Sequence, residues 1–324
     1  MKAAVYDQAG TPEVLRYANV PDPECGDDEV LVRVEAISIE GGDYLNRAHT
    51  QPLNSAYVGG YAASGVIMAV GSRVHNRSIG QRVTTWNPDG SHAQLRAVPA
   101  RRTWLVPNAL DIRAAAALPI SFGAASHSLF ARGKLQAGQT VLIQGGAGGV
   151  GLAAIQLAHQ AGARVLATVS SADHWPRLQA LGLSHAIDYT KEAVRAAVMD
   201  LTGGQGVDLV IDPVGSTLAS SLEVLRPEGR LVFVGNAGGA SLSVDLWPAL
   251  QANHALHGVF MGTQLEKPDV YADVEELLRL AGAQQLEVLI DRCFPLSDAV
   301  LAHHRAEQRT LGRVIMLPYA YLPS

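Results

Sequence analysis

The stretch Ile143-Gln-Gly-Gly-Ala-Gly-Gly-Val-Gly151 puts five glycines into nine residues. An apolar run of strand length, residues 141–144, precedes the repeated glycines. Residues 150–161 then repeat apolar side chains at helical spacing. Within the stretch, Gly146-Ala147-Gly148-Gly149-Val150-Gly151 fits G-x-G-x-x-G, and its place between a strand and a helix makes a weak pattern specific. In that setting Gly146 permits the tight turn and Gly148 lets a pyrophosphate reach the backbone. Gly151 lets the helix pack on the strand, and the helix N-terminus offers unpaired N–H groups to the phosphates. The next strand, over 164–170, runs into Ser170 and Ser171 with no carboxylate at its end to hold a ribose 2′-OH. Asp173 stands where a helix N-cap would. Two hydroxyls followed by His174 and Arg177 suit a 2′-phosphate, so the dinucleotide expected is NADP(H).

Outward from this turn the same alternation continues. Helices are predicted over 173–181, 191–201 and 216–225, the last stopped by Arg226-Pro-Glu-Gly229, with strands over 186–188, 207–212, 230–234 and 256–261. Such alternation implies a parallel sheet covered on both faces. The first hundred residues read instead as strands, at 2–5, 29–36, 63–70 and 82–85, before helix-like texture over 111–118 and 120–132. After the sixth parallel strand come a helix (270–283), a strand (287–294), a helix (296–307) and a strand (313–317). The expected class is α/β: a β-rich domain of residues 1–119 and 263–324, and a doubly wound domain of residues 120–262 inserted before the C-terminal segment.

Composition narrows the function. A length of 324 residues suits two cores, and 48% hydrophobic against 17% charged residues can fill them. A net charge of −5 with no Lys/Arg block argues against nucleic acid. Cys25 and Cys293 alone exclude a disulfide scaffold or a cysteine-rich zinc lobe. The start MKAAVYDQAG has no apolar signal region, so a cytoplasmic protein is expected. Residues 141–163 lack Asp, Glu, Lys and Arg, but glycines at one end and Gln156, His159 and Gln160 at the other read as strand, turn and helix, not a membrane span.

The opening MKAAVYDQAGTPEVL, then VGSRVHNRSIGQRV, the glycine turn with LAAIQLAHQAGARV, VDLVIDPVGS, LRPEGRLVFVG and LGRVIMLP follow one another in a familiar order and spacing. Together they resemble the zinc-free quinone oxidoreductase (zeta-crystallin-like) branch of the medium-chain dehydrogenase/reductase superfamily, over essentially the whole chain. The resemblance implies a GroES-like catalytic domain with an inserted Rossmann domain. Zinc-dependent relatives carry a catalytic Cys and a His-Glu pair where this chain has Glu40, Tyr61 and Ala62. A catalytic zinc needs about three protein ligands, so no metal is expected.

The resemblance also implies site residues. The nicotinamide would be bordered by Val234, Gly235 and Asn236, and by Phe260, Met261 and Gly262, with Val214 a further cofactor-binding position. Tyr189 matches a tyrosine that touches the 2′-phosphate, His174 stands at a usual lysine, and Arg313 at a basic residue near the cofactor. Ala125 replaces a threonine, and Asp43 matches a mostly structural position. Glu40 replaces an asparagine near the nicotinamide ribose, where a carboxylate could bond the ribose or relay a proton. Tyr44 is the first candidate proton donor; Asn46, Arg47 and His49, in the same expected loop, and Tyr61 are candidates to bind substrate. The implied activity is direct hydride transfer from NADPH to a quinone or α,β-unsaturated carbonyl. An enoyl-thioester reductase is an alternative, although its cleft tyrosine is missing from Arg47-Ala-His-Thr-Gln51. The others are a non-catalytic NADPH-binding redox sensor and a zinc alcohol dehydrogenase. Pairing of the strand over 256–261 across a two-fold axis would give a homodimer.

Overall fold

A computed structural model of the chain describes residues 1–239, 242–308 and 310–319. It divides into two compact units, Met1–Ile120 with Gly262–Ser324, and Ser121–Met261. The first limb contains β1 (Lys2–Tyr6), β2 (Arg16–Asn19), β3 (Glu29–Ser38), helix α1 (Gly41–His49) and β4 (Tyr57–Val58), with β1 pairing antiparallel to β2 and β4. It continues through β5 (Ala62–Val70), β6 (Arg82–Trp86), β7 (Leu95–Pro99) and β8 (Thr103–Leu105). Strand β3 is central to this antiparallel sheet, flanked by β5 and β7. Its Val30, Val32, Val34 and Ala36 alternate inward, as a pleat requires.

After α2 (Ile112–Ser126) the second unit takes up the alternation: β9 (Thr140–Ile143), α3 (Gly149–Gln160), β10 (Arg164–Val169), α4 (Trp175–Ala180), β11 (His185–Asp188), α5 (Val194–Leu201), β12 (Val207–Asp212), α6 (Leu218–Glu223), β13 (Leu225–Phe233), α7 (Trp247–Gln251) and β14 (Ala255–Gly258). The sheet order is β11-β10-β9-β12-β13-β14, with every pairing parallel. Every residue of β12 is buried, because helices cover both faces. The order reverses between β9 and β12, which is where such sheets open a ligand crevice at their strand C-termini.

The chain then returns to the first unit through α8 (Pro268–Gly282), β15 (Ile290–Pro295), α9 (Ala299–Ala306) and β16 (Arg313–Leu317). Strand β16 pairs with β3 at Ile315–Ser38, and Ala299 and Ala302 of α9 pack on Leu15, Ile37 and Ile39.

Three local readings change. Residues 41–49 are a helix, not a loop: Asp43 folds back and accepts the Glu40 N–H at 2.8 Å, which starts α1 despite two glycines of poor helix propensity. The helix expected over 216–225 is confined to Leu218–Glu223, and β13 starts already at Leu225, running through a bulged register with Glu228 at φ 62°. The sixth parallel strand stops at Gly258, and Met261–Thr263 is a single 3-10 turn. Residues 141–163 form β9, the glycine turn and α3; the helical run long and apolar enough to cross a membrane is Ile112–Arg132, 83% buried inside the protein.

Candidate active site

In the second unit the glycine turn forms a cradle. Gly145, not Gly146, makes the left-handed bend, at φ +66°. Gly146 is glycine for packing, since a Cβ there would lie 2.7 Å from Ala167 Cβ on β10. A Cβ on Gly151 would lie 2.3 Å from the Gly145 carbonyl, so that glycine is required by close helix–strand contact. Gly148 is different: its Cβ would meet nothing closer than Gly145 O at 3.4 Å. Gly148 is the N-cap of α3 and supplies no side-chain cap, which leaves the N-terminus beside Gly149 and Val150 free for an anion.

Behind the cradle lies a polar network. Gln144 donates to Ser221 Oγ (3.0 Å) and accepts from Thr168 Oγ1 (2.9 Å), which in turn accepts from Gly145 N (2.9 Å). Ser221 donates to Asp212 (2.8 Å), whose carboxylate also takes Val214 N, Gly215 N and Thr217 Oγ1. The buried Asp212 thus ties the Val214 turn to the glycine turn. Sequence reasoning passed it over; its signal was an Asp at the C-terminal end of the fourth parallel strand. Val234 N bonds Asp212 O and Gly238 N bonds Val214 O, so the loop of Val234, Gly235 and Asn236 lies against the same turn. Phe260 is exposed and Met261 buried just beyond β14.

The 2′-phosphate edge is set by strand register. Val169 lies opposite Asp188, so Ser170 and Tyr189 leave neighbouring strand ends together, and Tyr189 N bonds Val169 O at 3.2 Å. The helical cap is Ser171, whose Oγ accepts from Asp173 N, rather than Asp173 itself. His174 and Arg177 follow on the same short helical segment, both half-buried. No acidic residue ends β10, and the uncapped cradle and hydroxyl-lined edge fit NADP(H).

In the first unit the candidates gather around α1. Glu40 is buried, its Oε1 accepting from Ser38 Oγ at 2.7 Å and its Oε2 bonded to Arg313. Burial raises this carboxyl, while Arg313 and Ser38 pull the other way. Glu40 and Arg313, expected at the nicotinamide ribose and near the cofactor, are thus ion-paired with one another. Arg47 is buried, and its guanidinium bonds Gly10 O (3.1 Å), His303 Nδ1 (2.9 Å) and Glu307 (2.6 Å). Tyr44 lies on α1, half-buried and packed against the apolar cluster that includes Leu15 and Ile37. His49, at the end of α1, is exposed.

Asn46 and Tyr61 are brought together, with Asn46 Nδ2 donating to Tyr61 Oη at 2.6 Å. Behind them, Asp43 accepts from Tyr61 N (3.0 Å) as well as Glu40 N and lies 3.9 Å from His92 Nε2. Burial pushes the Asp43 carboxyl up to about 7 and His92 down to about 3, so below neutral pH this contact is between a protonated acid and a neutral imidazole. His303 is held neutral by burial too. A cavity of about 20 Å³, room for one water, lies among Asp43, Arg47, Tyr61, His92 and His303.

Residues 26–108 match the alcohol dehydrogenase GroES-like domain, and residues 149–281 the family described as zinc-binding dehydrogenase. The chain is 32% identical over 316 residues to a quinone oxidoreductase of Pseudomonas aeruginosa, covering 95% of this chain and 97% of that one. The chain belongs to the zinc-free quinone oxidoreductase branch of the medium-chain dehydrogenase/reductase superfamily. A 2-haloacrylate reductase of Burkholderia sp is 30% identical, over 98% of this chain and 99% of that one. The Escherichia coli quinone oxidoreductase, solved in complex with NADPH, superposes with a TM-score of 0.93 at 26% identity, covering 98% and 100% of the two chains. As a quinone oxidoreductase-type enzyme the chain departs from the zinc-binding description of its family at the ligand positions. Glu40 is paired with Arg313, and Tyr61 and Ala62 offer no imidazole or carboxylate. Among the described residues no three His, Cys, Asp or Glu side chains are placed to share a metal ion.

Proposed function

We propose that this enzyme reduces quinones and α,β-unsaturated carbonyl compounds with NADPH by direct hydride transfer and without zinc. The observation that carries the reading is the uncapped N-terminus of α3 at Gly148, combined with a β10 end that presents Ser170 and no acid. The cofactor is NADP(H), which supplies the hydride when bound. Gly148, Gly149 and Val150 hold its pyrophosphate by backbone N–H groups and helix dipole. Ser170 and Tyr189 hold the 2′-phosphate, aided by His174 and Arg177. The loops at Val214, Val234–Asn236 and Phe260–Gly262 orient the nicotinamide. Quinones need no enzymic acid, because hydroquinone oxygens take protons from water. The likeness to a 2-haloacrylate reductase supports extending the substrate class to activated alkenes. The enzyme works as a homodimer paired along β14, the outer strand of its sheet.

The test is oxidation of NADPH, and of NADH in parallel, with a simple quinone and chelator-treated protein. Turnover that survives chelation and favours NADPH is expected. Loss on chelation would overturn the zinc-free reading, and equal use of both coenzymes would overturn the 2′-phosphate site.

A further inference from the structure

Tyr61 is fixed more rigidly than a surface tyrosine needs. Its backbone N–H goes to Asp43 Oδ1 at 3.0 Å, and its carbonyl accepts from Asn87 N at 3.0 Å and from the buried Arg96 guanidinium at 2.8 Å. Its ring lies so close over Gly42 that a Cβ there would sit 2.2 Å from Cε2, so the position beneath the ring must be glycine. The hydroxyl accepts from exposed Asn46 Nδ2 at 2.6 Å. A phenol that accepts from an amide keeps its own proton to donate outward. Burial raises its ionisation above the usual tyrosine range, so it carries that proton at neutral pH. Tyr44, by contrast, is half-buried against the apolar cluster.

We infer that Tyr61, oriented by Asn46, is the proton donor when the substrate is an α,β-unsaturated carbonyl; this rests on the hydride-transfer reading above. The balance is simple. The hydride from NADPH forms the new bond at the β-carbon, NADPH becoming NADP+ and the alkene being reduced by two electrons. The Tyr61 O–H breaks as a proton passes to the resulting enolate, and the phenolate regains its proton from water. A quinone bypasses the residue, since both its oxygens are protonated by solvent.

The experiment compares wild type, Tyr61→Phe and Asn46→Ala with NADPH on 2-cyclohexen-1-one and on 1,4-benzoquinone, with NADPH affinity followed by nucleotide fluorescence. Tyr61→Phe should lower enone kcat by about 100-fold, the low end for a lost general acid. It should also abolish the alkaline fall of the enone pH profile, leave NADPH affinity unchanged and cost quinone turnover far less than enone turnover. Asn46→Ala should show a smaller loss confined to the enone. Equal loss on both substrates would make Tyr61 merely structural, and unchanged enone turnover would remove it as donor. Quinone turnover with no enone turnover in wild type would overturn this inference and leave the proposed function standing. Turnover of neither would overturn the proposed function itself.

Discussion

Glu40 and Arg313 come from distant parts of the chain and meet through the β3–β16 pairing, which brings Ser38 opposite Ile315. Removing one partner of a buried pair strands the other charge at a cost of about 3 kcal/mol or more. Glu40→Gln and Arg313→Met should each destabilise by that order in urea unfolding, and the double variant by clearly less than the sum. Additive losses would show that the ions do not depend on one another. The glycines give a second contrast at this scale. Gly148→Ala should fold with an unchanged Tm and lose at least about tenfold in NADPH affinity, because only a ligand's space is filled. Gly151→Ala should lower Tm, because its Cβ would collide with the Gly145 carbonyl. A Gly148→Ala protein that binds NADPH normally would remove the pyrophosphate from this turn. The motif showed which glycines matter; it assigned the bend to Gly146, whereas the positive φ belongs to Gly145.

Helix α1 is the element whose behaviour with pH is most specific. Folded Asp43 titrates at about 7 against an ordinary 3.8, so the native state keeps a proton that the unfolded chain releases between those values. Its contribution is therefore full below about pH 4 and is lost as pH rises through 7. His92, at about 3 against 6.5, works in the opposite sense: its contribution is full above 6.5 and is lost as pH falls towards 3. Between about pH 4 and 6.5 the pair binds one proton in either state, so it adds no slope. Asp43→Asn should break that balance. The stability gap between wild type and variant should shrink by about 1 kcal/mol per pH unit from pH 4.5 to 6.5. A gap independent of pH would show that Asp43 is already ionised when folded. Nothing in Glu40-Gly-Gly-Asp43 suggests a helix, because two glycines open it and its start depends on a side chain reaching back across a turn. By contrast β12, buried throughout, and α3, buried from Gly151 to Ala158, were plain from periodicity.

For the whole molecule, among the described residues the outer strand β14 pairs on one side only, and α7, just before it in the chain, exposes Trp247 and Leu250. Light scattering on the purified protein should give twice the chain mass, and a single-chain mass would remove the β14-paired dimer. The parallel order of the second unit follows from alternating strands and helices, since right-handed crossovers leave few other arrangements. The return of β15 and β16 to the first sheet is a pairing between residues nearly three hundred positions apart, and no local pattern encodes it.

The sequence by itself determined the doubly wound unit, the phosphate-binding turn and the missing acid after its second strand, because these depend on short-range periodicity and on glycines at fixed spacing. Only the tertiary structure decided what the residues around α1 do. It turned Glu40, Arg313 and Arg47 inward into ion pairs and hydrogen bonds, and it set Tyr61 on Gly42 with Asn46 at its hydroxyl. Those outcomes depend on burial and on partners supplied by remote strands, and a side chain's charge state and direction are set by the neighbours that folding brings to it.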